Sequence, residues 1–207
     1  GATAGRDVVF DRSDNALEFA DNAKAKFGTG GDLEIYHDGT GCNIRSTSSK
    51  LEIRSPDLIL QNSSAEKYFR GVSDGAVELY HDNTKKFETA SGGVSLTGGA
   101  AANITALTSA TTITIDMALS CHHSVTLAHN ATFAAPSNQA VGQSGSIIIT
   151  QDSTGSRTGQ FNTAFKFTGG SAPTLSTAAG SIDRIDYLIV SSNVIHCAVS
   201  LDVKQAS

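Results

Sequence analysis

Two copies of one short pattern hold the most conspicuous candidate ligands in the chain. Tyr36-His37-Asp38 follows Leu33-Glu34-Ile35, and Tyr80-His81-Asp82 follows Val77-Glu78-Leu79. If three chains wrapped a common axis, His37 or His81 from each would converge on it. Three imidazoles plus water make a workable metal coordination set. A single histidine per repeat, however, brings no second ligand at a fixed spacing. The plainer reading is that each His closes a strand and bonds the turn backbone, while its Asp shapes the turn.

The remaining candidates also lack the spacing their chemistry needs. Cys121-His122-His123, with His129 nearby, has the residue types of a metal centre. Successive residues of a strand point to opposite faces, so His122 and His123 do not share an ion, and they read as polar side chains at a strand edge. Asp183-Arg184-Ile185-Asp186-Tyr187 carries two carboxylates, the residue type of a glycosidase pair. Three positions apart in a strand they face opposite ways, and Arg184 is a ready ion-pair partner. Ser64-Ala65-Glu66-Lys67 fits Ser-x-x-Lys without its companion motifs. There is no Gly-x-Gly-x-x-Gly after a strand and no Gly-Lys-Ser/Thr loop, so nucleotide binding has no support. Tyr36 and Tyr80, with Tyr68, Phe69 and Phe87, read as packing residues between stacked rungs rather than as platforms for stacking on sugars. The sequence therefore assigns no catalytic residue, no cofactor and no metal ligand.

The elements that carry these residues are strands. Helical periodicity is nearly absent, and alternation prevails even in the Ala16 to Phe27 stretch. Looser echoes of the repeat occur at Leu17-Glu18-Phe19 and Leu51-Glu52-Ile53. Asp21-Asn22, Asp38-Gly39, Asp74-Gly75 and Asp82-Asn83 punctuate the first half, because these residues tolerate the positive φ of tight turns. Parity places Leu33, Ile35 and His37 on one face, with Glu34, Tyr36 and Asp38 on the other. Val77, Leu79 and His81 repeat the arrangement.

The small, polar stretch from Gly92 to Ala102 marks a boundary, giving domains at 1–100 and 101–207. Beyond it the strands are longer and more apolar: Thr111–Met117, Ser124–Ala128, Gly145–Gln151, Ile185–Ser191 and Val194–Leu201. Two polar loops, Gln151–Gly159 and Thr168–Gly180, lie between them. In the last strand Ile195, Cys197, Val199 and Leu201 form the core face, and His196 belongs to a surface or interface. This pattern predicts a compact β-sandwich or jelly-roll-like domain.

Composition narrows the function classes. Of 207 residues, 39% are hydrophobic but only 6% are aromatic, none is Trp, and 20 are Gly. A chain so poor in large side chains buries little apolar area per residue, so association is expected to supply the missing core. The net charge is -5 with scattered basic residues, which excludes the basic stripe of a nucleic-acid binder. No apolar run reaches the length of a membrane span, so no membrane insertion is expected. The opening residues show no signal-peptide pattern and no initiator Met, which suggests a fragment or processed product. Cys42, Cys121 and Cys197 are odd in number and widely spaced, which suits free thiols in a reducing compartment.

The residues also carry a family resemblance. The run Phe27-Gly28-Thr29-Gly30-Gly31-Asp32-Leu33-Glu34-Ile35-Tyr36-His37-Asp38-Gly39 is similar to repeats in tail fibre proteins of tailed bacteriophages, especially those infecting cyanobacteria and other aquatic bacteria. So is the run from Asp74 to Thr89. Gly142 to Asp152, Thr154-Gly155-Ser156-Arg157 and Ile182 to Tyr187 resemble a C-terminal domain of such fibres. The resemblance implies a parallel homotrimer in the virion, assembled in the host cytoplasm, with its distal end facing the host. No catalytic motif comes with it. It also implies other virion tail proteins as partners, reached through an N-terminal part that the sequence lacks.

The combined expectation is an all-β protein: an intertwined homotrimeric β-repeat shaft over 1–100 and a β-sandwich-like head over 101–207. Its expected function is adhesion to a host surface glycan such as lipopolysaccharide, through rim loops Gln151–Gly159 and Thr168–Gly180. A fibre-borne polysaccharide depolymerase and a purely structural trimerisation or spacer segment are the alternatives.

Overall fold

The structure, a computed structural model, describes Gly5 and residues 7–204. The opening segment read above for a leader lies largely outside the described residues. Among the described residues the regular structure is all β strand apart from one 3-10 turn at Thr168–Gly170, and the chain divides between Gly98 and Gly99 into two compact units.

The first unit is a succession of antiparallel hairpins. β1 (Val8–Asp11) pairs with β2 (Ala16–Phe19). β3 (Ala25–Phe27), β4 (Leu33–His37) and β5 (Cys42–Ser46) form a three-stranded sheet. β6 (Asp57–Gln61), β7 (Lys67–Val72), β8 (Val77–His81), β9 (Thr84–Ala90) and β10 (Gly93–Leu96) form a five-stranded meander. The first repeat is β4 and the second is β8. The looser echo at Leu17-Glu18-Phe19 lies in β2. The echo at Leu51-Glu52-Ile53 forms no strand, and Leu51 and Ile53 stay exposed; Pro56 follows closely and removes a ladder donor there.

The turns obey their chemistry. Asp82 and Asn83 both have positive φ, 51° and 54°, and close the His81↔Thr84 hairpin as a two-residue type I′ turn. Asn22, Gly39 and Asp74 also have positive φ at the other predicted turn sites. What this unit lacks is a core. Among its described residues the only buried hydrophobic one is Ala23.

The second unit is wound differently. β11 (Ile104–Ala106), β13 (His122–Leu127) and β15 (Ser144–Gln151) lie parallel in one sheet. β12 (Thr112–Ile113), β14 (Ala131–Phe133) and β16 (Gly159–Phe161) lie parallel in a second. The chain thus passes alternately between two sheets, adding one strand to each at every pass. β17 (Phe165–Phe167), β18 (Ile182–Ser191) and β19 (Val194–Ser200) complete the first sheet in the order β11-β13-β15-β18-β19-β17. The predicted strand Thr111–Met117 forms a ladder only at Thr112–Ile113, with an isolated parallel bridge at Asp116↔Ser137, and Ile113, Ile115 and Met117 are buried.

This unit has a closed core. Ile147, Ile149, Ile185, Ile189 and Ile195 from the large sheet meet Phe133, Ile115 and Met117, all essentially inaccessible. In the small sheet Ile113, Phe133 and Phe161 stack in register, with the two rings 4.9 Å apart and nearly parallel. Cys197 is buried as its parity predicted, and burial pushes its thiol up to about 11. Leu201 is a correction: it lies past the end of β19 and is exposed, because the ladder stops at Ser200.

Candidate functional site

In both repeats the face that the chain itself covers is the polar one. Glu34, not Leu33 or Ile35, is the buried residue of β4. Its carboxylate accepts from Lys24 Nζ at 2.8 Å and faces Lys26 Nζ at 3.3 Å, while Lys24 Nζ also sits 4.4 Å above the Tyr36 ring. β8 repeats the device. Glu78 accepts from the Tyr80 hydroxyl at 2.7 Å and from Lys85 Nζ at 3.3 Å, and Lys67 Nζ lies 5.7 Å from the Tyr80 ring. The hydrogen bond from Lys24 holds Glu34 below the usual carboxylate range, and that from Tyr80 does the same for Glu78. Each Glu-x-Tyr pair thus carries its own cation, a role for Lys24 and Lys67 that the sequence analysis missed. The signal was present as a lysine at the start of each neighbouring strand, Lys67 opening β7 and Lys24 directly preceding β3.

The opposite face is apolar and open. Register aligns Leu60, Phe69, Leu79, Phe87 and Leu96 in one row across all five strands of the meander. In the three-stranded sheet Ala25, Ile35 and Ile44 align, flanked by Phe27 and Leu33. Leu60, Leu79, Leu96, Phe27, Ile35 and Ile44 are exposed by 42–63%.

His37 behaves as the plainer reading expects. Its Nδ1 lies 2.8 Å from Asp21 Oδ1, and the Gly39 N–H points at the same nitrogen from 3.2 Å. Asp38 shapes the turn by accepting from the Thr40 and Gly41 amides and the Thr40 hydroxyl, which holds its carboxyl well below the usual range. Cys42 lies directly across the ladder from His37, but no hydrogen bond joins thiol to imidazole. His81 ends β8 and is exposed. Among the described residues the one group with metal-ligand geometry is Asp11, Asp14 and Glu18, exposed at the first hairpin. Asp11 there already accepts from the Ser13 amide and hydroxyl, so the cluster reads as a turn.

In the second unit His122 and His123 do face opposite ways, as parity required. The strand-edge reading is corrected, however: β13 is an interior strand and His123 is fully buried, because its parity places it in the core row Thr105–His123–Ile147–Ile185. Its Nε2 reaches the Ser120 carbonyl at 3.1 Å, while Nδ1 has no partner. His129 is elsewhere, beside the Ser109 hydroxyl. On the outer face His122, Ser146 and Asp186 align across three strands, and Ser146 donates to Asp186 at 2.6 Å. That order puts the serine between acid and imidazole on an open sheet, which is not a nucleophile–base–acid relay. Asp183 and Asp186 lie on opposite faces. Asp183 is buried and saturated by the Ser176 and Asp202 amides, so the two cannot flank one glycosidic bond. Ser64 sits in a turn capped by Asn62, with its Lys67 neighbour turned to Tyr80.

The two polar loops are braced into one rim. The Ser156 amide donates to the Thr177 carbonyl at 2.7 Å and the Gly180 amide to the Asp152 carbonyl at 3.3 Å. Gly155 has φ +71°, and a Cβ there would lie 2.6 Å from the Thr177 carbonyl, so only glycine permits the approach. Arg157 and Asp152 form an ion pair at 2.8 Å, and Gln151 folds inward to bond both polar groups of Arg157's backbone. Ser153, Thr154, Thr158 and Thr177 remain exposed on this hydrogen-bonded rim. No protein-family model, curated protein or solved structure matches the chain.

Proposed function

We propose that the chain is the distal part of a bacteriophage tail fibre. In this reading it is a homotrimer, with residues 1–98 as an intertwined shaft and residues 99–207 as a head that holds a host-surface glycan such as lipopolysaccharide. The observation that carries it is a contrast: the first unit has open apolar faces and no core, whereas the second closes its own core and presents a braced polar rim. The rim supplies exposed hydroxyls on a backbone that need not reorganise to bind, which limits the entropy lost on binding a flexible glycan. Weak single sites then gain from having several heads on one fibre.

The test is binding of the purified protein to an array of bacterial lipopolysaccharides and capsular polysaccharides. Retention on one or more glycans is expected, with Thr154→Trp on the rim weakening it at least tenfold. No retention on any surface would overturn adhesion, and release of oligosaccharides from the bound polymer would show a depolymerase instead.

A further inference from the structure

The first unit's faces define where its missing core comes from. Between residues 7 and 98, seventeen large hydrophobic residues are exposed by 38–63%. Eight of them lie on the apolar faces of the three- and five-stranded sheets; at roughly 80 Å² each these eight present on the order of 640 Å² of apolar surface, to which the half-buried Leu58, Phe69 and Phe87 add, close to the ~800 Å² per partner of a standard stable interface. This surface is ordered. The row Leu60–Phe69–Leu79–Phe87–Leu96 crosses five strands, about 19 Å at ~4.8 Å per strand. The cations Lys24, Arg70 and Lys85 pair with Glu34, Asp57 and Glu78 on the opposite faces, and those faces are satisfied within one chain.

We infer that the apolar faces of the two sheets are the surfaces on which copies of this chain meet, each row packing against that of a neighbouring copy with the charged faces turned outward. The occupant is a second copy because the unit buries a single hydrophobic residue, Ala23, among its described positions. A unit without a core of its own must associate in order to fold, and an identical chain is present wherever it is made. The Leu60–Leu96 row, apolar along its whole length, meets its own copy without like-charge repulsion. An obligate interface of this kind resembles a domain core cut in two. The inference rests on the multimeric reading above and adds the face.

Adjacent residues of β6 provide the test. Leu60 lies on the apolar face and is 54% exposed in the single chain, while Ile59 lies on the charged face and is 38% exposed. Leu60→Cys and Ile59→Cys are made in the full chain, and maleimide labelling is mapped by peptide mass beside native molecular mass. A mass well above 21.4 kDa is expected, with the thiol at 60 labelled at least tenfold more slowly than that at 59, and native Cys42 on the first sheet's apolar face protected as well. A multimer in which position 60 reacts as fast as position 59 overturns the face assignment and leaves multimerisation standing. A monomer overturns both. If Leu60→Cys itself dissociates the assembly while the wild type is multimeric with Cys42 protected, the face is supported by that loss.

Discussion

His123 is buried to 0% exposure with a proton position fixed by its surroundings. Nε2 carries the hydrogen to the Ser120 carbonyl, which leaves Nδ1 as a bare acceptor without a donor. Protonating Nδ1 would bury an N–H with nothing to receive it, and burial holds the imidazole below its ordinary 6.5. The nearby groups are His122, which opposes a charge there, and Asp116, which favours one; burial outweighs both. Because the folded value is depressed, the stability is in place above pH 6.5 and is lost as pH falls through the folded value. His123→Leu should change stability at pH 7.5 by only about 1 kcal/mol, since the Ser120 carbonyl keeps the Gln143 amide at 3.3 Å. It should also flatten the decline toward pH 5, read from amide exchange in β15 and β18 at both pH values. An unchanged decline in the variant would place the sensitivity elsewhere. Asp183 is a second buried polar residue with a structural duty. Its carboxylate holds the Ser176 amide at 2.8 Å and the Asp202 amide at 2.9 Å. Asp183→Ala orphans both donors and should cost about 3 kcal/mol, measured as a drop in the urea midpoint of the second unit.

At the scale of elements, the parallel pairing of β13 and β15 depends on one glycine. A Cβ on Gly145 would lie 1.6 Å from the Cys121 carbonyl oxygen, which also accepts the Tyr187 hydroxyl at 2.9 Å. Burial pushes Tyr187 up to about 12, so this donor keeps its proton at any physiological pH. Gly145→Ala must displace the entry to β13 or break that bond, and should cost about 3 kcal/mol or more. Loss of amide protection in β13 with β19 still protected is the expected signature; wild-type protection throughout would show that the junction yields easily. The hairpin elements of the first unit rest on turn chemistry instead. Asp82 and Asn83 adopt the left-handed region that a two-residue hairpin needs, and Asn83 Oδ1 also accepts the Lys67 amide at 3.0 Å. These local features are the ones that alternation and Asx-rich turns announced.

At the scale of the whole molecule the two units should answer differently to concentration. If copies complete the first unit, a hundredfold dilution lowers its stability by up to about 2.7 kcal/mol, whereas the self-contained second unit keeps its midpoint. Thermal unfolding at two concentrations, followed by amide exchange in each unit, checks this; two fixed midpoints would mean that no copy contributes to the first unit. The sequence alone determined what is local. Strand character, the turn sites and the sharing of a face by Leu33, Ile35 and His37 follow from side-chain parity and from residues that tolerate positive φ. It also showed that Asp183 and Asp186 diverge and that Cys197 belongs inside. The tertiary structure decided what depends on distant residues. Parity says which side chains share a face but not which face is covered, so only the placement of Lys24, Lys85 and Arg70 revealed that the Glu-Tyr side is the covered one. Alternation likewise cannot tell parallel from antiparallel partners. The alternating passage of β11 through β16 between two sheets, and with it the burial of His123, is set by pairings tens of residues apart.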